Sequence, residues 1–268
     1  MLTGVRPGKL MTPLLAQGLN DAQAAHQFER QYDVSPARAD LVVRTAHATL
    51  RAMESLSEKD VCLYVGIPFC PTRCAYCSFV SQSVEKSMAL VPEFLQALAR
   101  EIAATAEAVR RAGLRVVSLY IGGGTPTTLS ARQLDALCTQ LAAAFDLSAL
   151  REFTVEAGRP SVNPQTLDDR VLDTIGRRHT AQDIYDALRL VRETGGFAVN
   201  MDLIAGLPGD TPDGFRATLE QVLALAPENI TVHTLSRKRG SNLMAQDAPQ
   251  GGLRAVLPLP AEVYVRRL

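Results

Sequence analysis

The chain has 268 residues, enough to bury a sizeable core, and its 28 Lys+Arg balance 28 Asp+Glu for a formal net charge of zero. That balance excludes a global field able to draw nucleic acid or an anionic membrane surface. No apolar run approaches the ~18 residues a membrane span requires, and no signal-peptide core follows Met1.

Residues 1–57 read as a small helical N-terminal region. Asn20-Asp21 opens one helix, and Ser35-Pro36 opens another, with Ser as N-cap and Pro at the first helical position. In the second, Ala39, Val42, Val43, Ala46, Leu50 and Met53 recur at helical spacing and predict an apolar, packing stripe. From residue 58 to 240 strand and helix alternate. Val61–Ile67 reads as a strand, and Val91, Phe94, Leu95, Leu98, Ile102 and Val109 mark a long amphipathic helix ending near Gly113. Leu114–Ile121 is the next buried strand. Helices at about 131–145 and 212–226 and strands at about 152–156, 198–204 and 229–235 continue the pattern, which predicts an α/β fold with a parallel sheet covered by helices. Only Ala157–Pro160 separate the strand ending near Glu156 from the strand-like Ser161-Val162-Asn163, although parallel neighbours need a crossover of a dozen or more residues. Either the sheet is incomplete here or the segment after Pro160 pairs differently. Residues 241–268 form an irregular tail rich in Pro and Gly.

The chemistry concentrates in Cys70-Pro-Thr-Arg-Cys74-Ala-Tyr-Cys77. Three thiols at this spacing can converge on a soft metal centre, and three of the chain's five cysteines in one loop point to a reducing, cytoplasmic compartment. Two readings are open. Three Cys around a four-iron cubane leave one iron free for a small molecule, whereas a structural zinc site needs a fourth ligand, for which Cys62 is the nearest thiol. Cys62 itself lies in an apolar run, where a Cys is most often a small buried hydrophobe. Gly122-Gly123-Gly124-Thr125 follows a strand. Such backbone can approach a ligand closely, or can be an ordinary turn between strand and helix.

These words carry a resemblance. C-x3-C-x2-C with Tyr76 before the last Cys resembles the radical S-adenosylmethionine (SAM) superfamily. Leu63-Tyr-Val-Gly-Ile-Pro-Phe-Cys70, Gly122-Gly-Gly-Thr-Pro-Thr127 and Asp202-Leu-Ile-Ala-Gly-Leu-Pro208 resemble its oxygen-independent coproporphyrinogen III dehydrogenase group. Glu156-Ala-Gly-Arg-Pro160 and Gly176-Arg-Arg-His-Thr180 resemble the HemZ-type branch.

The resemblance implies a partial (β/α) barrel with reactive loops at the C-terminal ends of the strands, an internal deletion near 157–161, a [4Fe-4S] cluster on Cys70, Cys74 and Cys77, and SAM bound at the open iron. Reduction would then yield a 5′-deoxyadenosyl radical that abstracts hydrogen from substrate. It further implies SAM contacts at Tyr64, Tyr76, Gly123, Gly124, Thr125, Glu156, Gln165, Arg177, Asp202 and Ser236. A porphyrinogen or haem-type small molecule and an external flavodoxin- or ferredoxin-like electron donor are the implied partners. Read without the resemblance, Tyr64 is equally a core aromatic and Arg177 equally a solvated charge. Gln165 stands beyond the deletion and is the weaker assignment. Phe79 occupies the position where authentic coproporphyrinogen dehydrogenases carry another Cys, so the motif speaks more strongly for SAM cleavage than for propionate decarboxylation. The leading function is oxidative decarboxylation of coproporphyrinogen III to protoporphyrinogen IX. A haem chaperone using His233 or His179, and an inactive, internally deleted remnant, are the alternatives.

Overall fold

The computed structural model describes residues 6–72, 74–79, 81–158 and 163–235. The chain divides into two compact units, Met1–Asp60 and Val61–Leu268. The tail 241–268, Ser236 and the strand-like Ser161-Val162 lie outside the described residues.

The first unit holds helices α1 (Pro7–Ala16), α2 (Asp21–Tyr32) and α3 (Pro36–Glu54). Asn20 caps α2 reciprocally: its side chain accepts from the Gln23 N–H at 2.9 Å, and the Gln23 side chain accepts from the Asn20 N–H at 3.1 Å. Ser35 takes the N-cap backbone conformation before α3 without a side-chain cap bond, so Pro36 carries the start signal. Met11, Leu14, Ala24, Ala25, Phe28, Ala39, Val43 and Ala46 form a closed core. The predicted stripe on α3 is shorter than expected, because Met53 is 55% exposed. At 19 residues α3 outruns the 10 of α1 and the 12 of α2, and its last residues, 51–54, are exposed.

The second unit follows the predicted alternation. Strand β1 (Asp60–Ile67) leads into two short strands, β2 (Phe69–Cys70) and β3 (Gln82–Ser83), and then α4 (Val84–Ser87) and α5 (Val91–Arg111). Next come β4 (Arg115–Gly123), α6 (Ala131–Ala144) and β5 (Glu152–Val155), then α7 (Asp169–Thr174), α8 (Ala181–Thr194), β6 (Asn200–Ala205), α9 (Pro212–Ala224) and β7 (Asn229–Thr234). The main sheet runs β1-β4-β5, with β4 and β5 parallel, and β6 pairs β7 in parallel. Among the described residues the strands stay in separate groups and close no barrel. Gln165 makes a single parallel bridge to Leu203 on β6, donating its N–H to the Asp202 carbonyl and accepting from the Ile204 N–H. Gln165 lies two residues beyond the strand-like Ser161-Val162-Asn163, of which only Asn163 is described, and it alone among the described residues of this segment is bridged to β6.

Alternation on β1 and β4 separates two faces. Val65, Ile67, Leu119 and Ile121 turn outward and pack with Ile102 of α5 and Leu137 and Leu141 of α6. On β1 and β4 the alternate residues, Tyr64, Gly66, Tyr120 and Gly122, turn to the inner face. On β5, Phe153 and Val155 stand in register with Leu119 and Ile121 and so share their outward face, yet they are 50% and 39% exposed. The physical reason is the short link: among the described residues no helix lies between β5 and Gln165 to cover them.

Candidate cofactor site

The cysteine loop leaves β2 and rests on the turn that ends α7. The Ala75 N–H donates to the Ile175 carbonyl at 3.0 Å, the Thr72 hydroxyl to the Gly176 carbonyl at 3.1 Å, and the Cys77 N–H to the Cys74 carbonyl at 3.1 Å. Ile175, with Val171, Leu172, Ile204 and Leu207, forms the small core on which Tyr76 packs. Arg177 is buried, not solvated: one guanidinium nitrogen donates to the Asn163 carbonyl at 2.7 Å and the other to the Tyr76 hydroxyl at 3.3 Å. Burial, first of all, raises the Tyr76 phenol well above its usual value and keeps it protonated beside Cys74. Cys70 and Cys74 are buried, Cys77 is partly exposed, and none of the five cysteines is in a disulfide.

Three glycines let the end of β4 pack closely against β1, β2 and Cys70 at the start of this loop. A Cβ on Gly124 would lie 2.7 Å from the Phe69 carbonyl oxygen and 2.9 Å from Cys70 Sγ. Gly123 holds φ +113°, and a Cβ there would sit 2.9 Å from the Ile67 nitrogen. A Cβ on Gly122 would fall 2.7 Å from Tyr120 Cε1, 2.9 Å from Tyr64 Oη and 3.1 Å from Glu156 Cδ. Thr125 is 2% exposed, with its hydroxyl donated to Cys70 Sγ at 3.5 Å.

Two polar groups occupy the inner face. Tyr120 donates its hydroxyl to Glu156 Oε1 at 2.7 Å and stacks on Tyr64 with ring centroids 5.6 Å apart. Burial, then the bond to Glu156, push the Tyr120 phenol well above its usual range. Tyr64 is 63% exposed, which removes the core-aromatic reading. In the second group, Asp202 accepts from the Asn163 amide at 2.9 Å through one oxygen and from the Asn200 amide at 2.8 Å through the other. Gln165, buried with φ +63°, donates its amide to the Asn163 side chain. Its bridge to β6 sets it beside Asp202 in spite of the short link from Glu156. Ser236 lies outside the described residues. Tyr120 and Asn163 carry much of this arrangement and were not singled out in the sequence; the signal for Tyr120 was its place two residues before Gly122 on one strand face.

The residues fit a cluster. Soft thiolates are the only nearby ligand type within the loop, and the glycine cradle has no room for a side chain against Cys70. Among the described residues no three His, Cys, Asp or Glu side chains gather around one ion. A cubane spreads its thiolates over separate irons. The zinc reading fails on geometry. Cys62 is exposed rather than buried, and β1 carries it five residues, about 16 Å, back from the end that leads to the loop.

A model of the Radical SAM superfamily matches residues 64–222. The chain belongs to that superfamily, which uses a [4Fe-4S] cluster and SAM. Within it, the chain is 36% identical over 265 residues to the oxygen-independent coproporphyrinogen-III oxidase-like protein HemZ of Bacillus subtilis, covering 91% of this chain and 53% of the relative. It is 31% identical to the heme chaperone HemW of Lactococcus lactis, over 76% of this chain and 55% of HemW. The solved structure of Escherichia coli coproporphyrinogen III oxidase, HemN, a radical SAM enzyme, superposes with a TM-score of 0.66 at 28% identity, over 82% of this chain and 54% of that one. The chain spans about half the length of the relatives it matches.

Proposed function

We propose that this chain is the SAM-cleaving core of an oxidoreductase of haem biosynthesis, oxidatively decarboxylating two propionates of coproporphyrinogen III to vinyl groups. The observation that carries this reading is the cysteine loop pressed onto the Gly122–Thr125 turn beside an inner face bearing Glu156 and Asp202. In it Cys70, Cys74 and Cys77 hold the cluster. Gly123, Gly124 and Thr125 offer backbone to the methionine end of SAM, and Arg177 braces the loop through Tyr76. Tyr64 and Tyr76 flank the nucleoside, and Glu156, Gln165 and Asp202 accept or donate hydrogen bonds at its ribose and amino groups, with Ser236 meeting adenine. When bound, cluster and SAM supply hydrogen-atom abstraction; the protein orients and excludes water. A flavodoxin- or ferredoxin-like protein supplies the electron, in a reducing cytoplasm consistent with three cysteines gathered in one loop. No described helix is long and apolar enough to cross a membrane.

Anaerobic incubation of the iron-reconstituted protein with SAM, reductant and coproporphyrinogen III tests this directly. Protoporphyrinogen is the expected product, and 5′-deoxyadenosine without any decarboxylated porphyrinogen rejects the substrate. The second reading, a haem chaperone, is favoured by Phe79 in place of a further Cys and by the HemW relatives. A haem titration that shifts the Soret band would support it, with His233, 57% exposed at its side chain, as the accessible imidazole.

A further inference from the structure

We propose that the Thr125 hydroxyl, held against Cys70 Sγ, raises the reduction potential of the cluster; the inference rests on the reading that Cys70 is a cluster ligand. The donor is fixed by the fold. The Thr125 N–H donates to the Phe69 carbonyl and the Gly124 N–H to the Ile67 carbonyl, each at 2.8 Å, so both ends of the contact hang on β1 and β2. The Thr125 carbonyl in turn accepts from the Thr128 N–H at 2.9 Å. Thr125 and Cys70 are 2% and 3% exposed, so water does not compete for the sulfur. A cluster accepting one electron becomes more negative, and part of that charge resides on its thiolates. A hydroxyl aimed at one of them stabilises the reduced form more than the oxidised form. The direction is therefore set: removing the donor makes the cluster harder to reduce.

The test is an EPR-monitored redox titration of reconstituted wild type, Thr125→Val, which keeps shape and loses the donor, and Thr125→Ser, which keeps the donor. In Thr125→Val the ratio of reduced to oxidised cluster at the wild-type midpoint should fall about three- to tenfold, roughly 30 to 60 mV at the one-electron Nernst factor. Thr125→Ser should stay near wild type. A loaded Thr125→Val with an unmoved midpoint overturns the inference, as does a Thr125→Ser shifted as far as Thr125→Val, which would assign the effect to packing. Should Thr125→Val lose iron, Thr125→Ala is titrated in its place, and an unmoved midpoint there is equally fatal. Wild type that takes up no four-iron cluster overturns the underlying reading instead, a result visible in iron content before any potential is measured.

Discussion

Glu156 owes its direction to a phenol. Tyr120 donates to it at 2.7 Å across the inner face, and stays protonated because burial and the neighbouring carboxylate both oppose its ionisation. Replacing Tyr120 by Phe removes one hydrogen bond to a charged group, about 1.5 kcal/mol, and should weaken SAM binding to the reconstituted protein roughly tenfold by equilibrium dialysis. Gly124→Ala places a methyl 2.9 Å from Cys70 Sγ and should cost most of the bound iron, read by iron and sulfide analysis after reconstitution. Asp210 gives a pH signature. Buried in the turn before α9, its carboxyl is raised to about 6, by burial first and then by Asp168. A raised acid favours the folded state when protonated, so its unfavourable contribution, present above pH 6, fades as pH falls toward 4. The stability gap between Asp210→Asn and wild type in urea titrations should narrow over that range; a constant gap would refute the assignment. Among these residues the sequence was legible where spacing carries the chemistry, as in the three cysteines and three glycines. It was not legible for Tyr120 or Asn163, whose roles depend on partners 36 and 39 positions away.

β5 shows what a short link in place of a covering helix does to a single strand. Leu119 and Phe153 stand side by side in register, yet one is 1% exposed and the other 50%. Leu119→Ala should therefore cost about 2 to 5 kcal/mol, and Phe153→Ser less than about 1 kcal/mol, when both are measured by chemical denaturation. Equal costs would mean that something else covers β5. The alternating strands and helices were legible because buried strands read as apolar runs and α5 as an amphipathic stripe. The pairing beyond the short link after Glu156 was not, since the one-residue bridge of Gln165 to β6 depends on a register that no local pattern encodes.

At the scale of the molecule, each unit has a core of its own. Phe28 is fully buried in the first unit, and Phe28→Ala should cost it about 3 to 5 kcal/mol while leaving iron uptake per chain unchanged; lost iron would tie the helical unit to the cofactor site. Finally, the chain has no tryptophan and six tyrosines, of which Tyr64, Tyr76 and Tyr120 border the site. With no indole to drain their excitation, ultraviolet emission comes from phenol rings alone, and two of them, Tyr64 and Tyr76, are those proposed above to flank the nucleoside. The apoprotein thus carries its own optical gauge of occupancy, and adenosine derivatives should dim that glow in proportion to the sites filled.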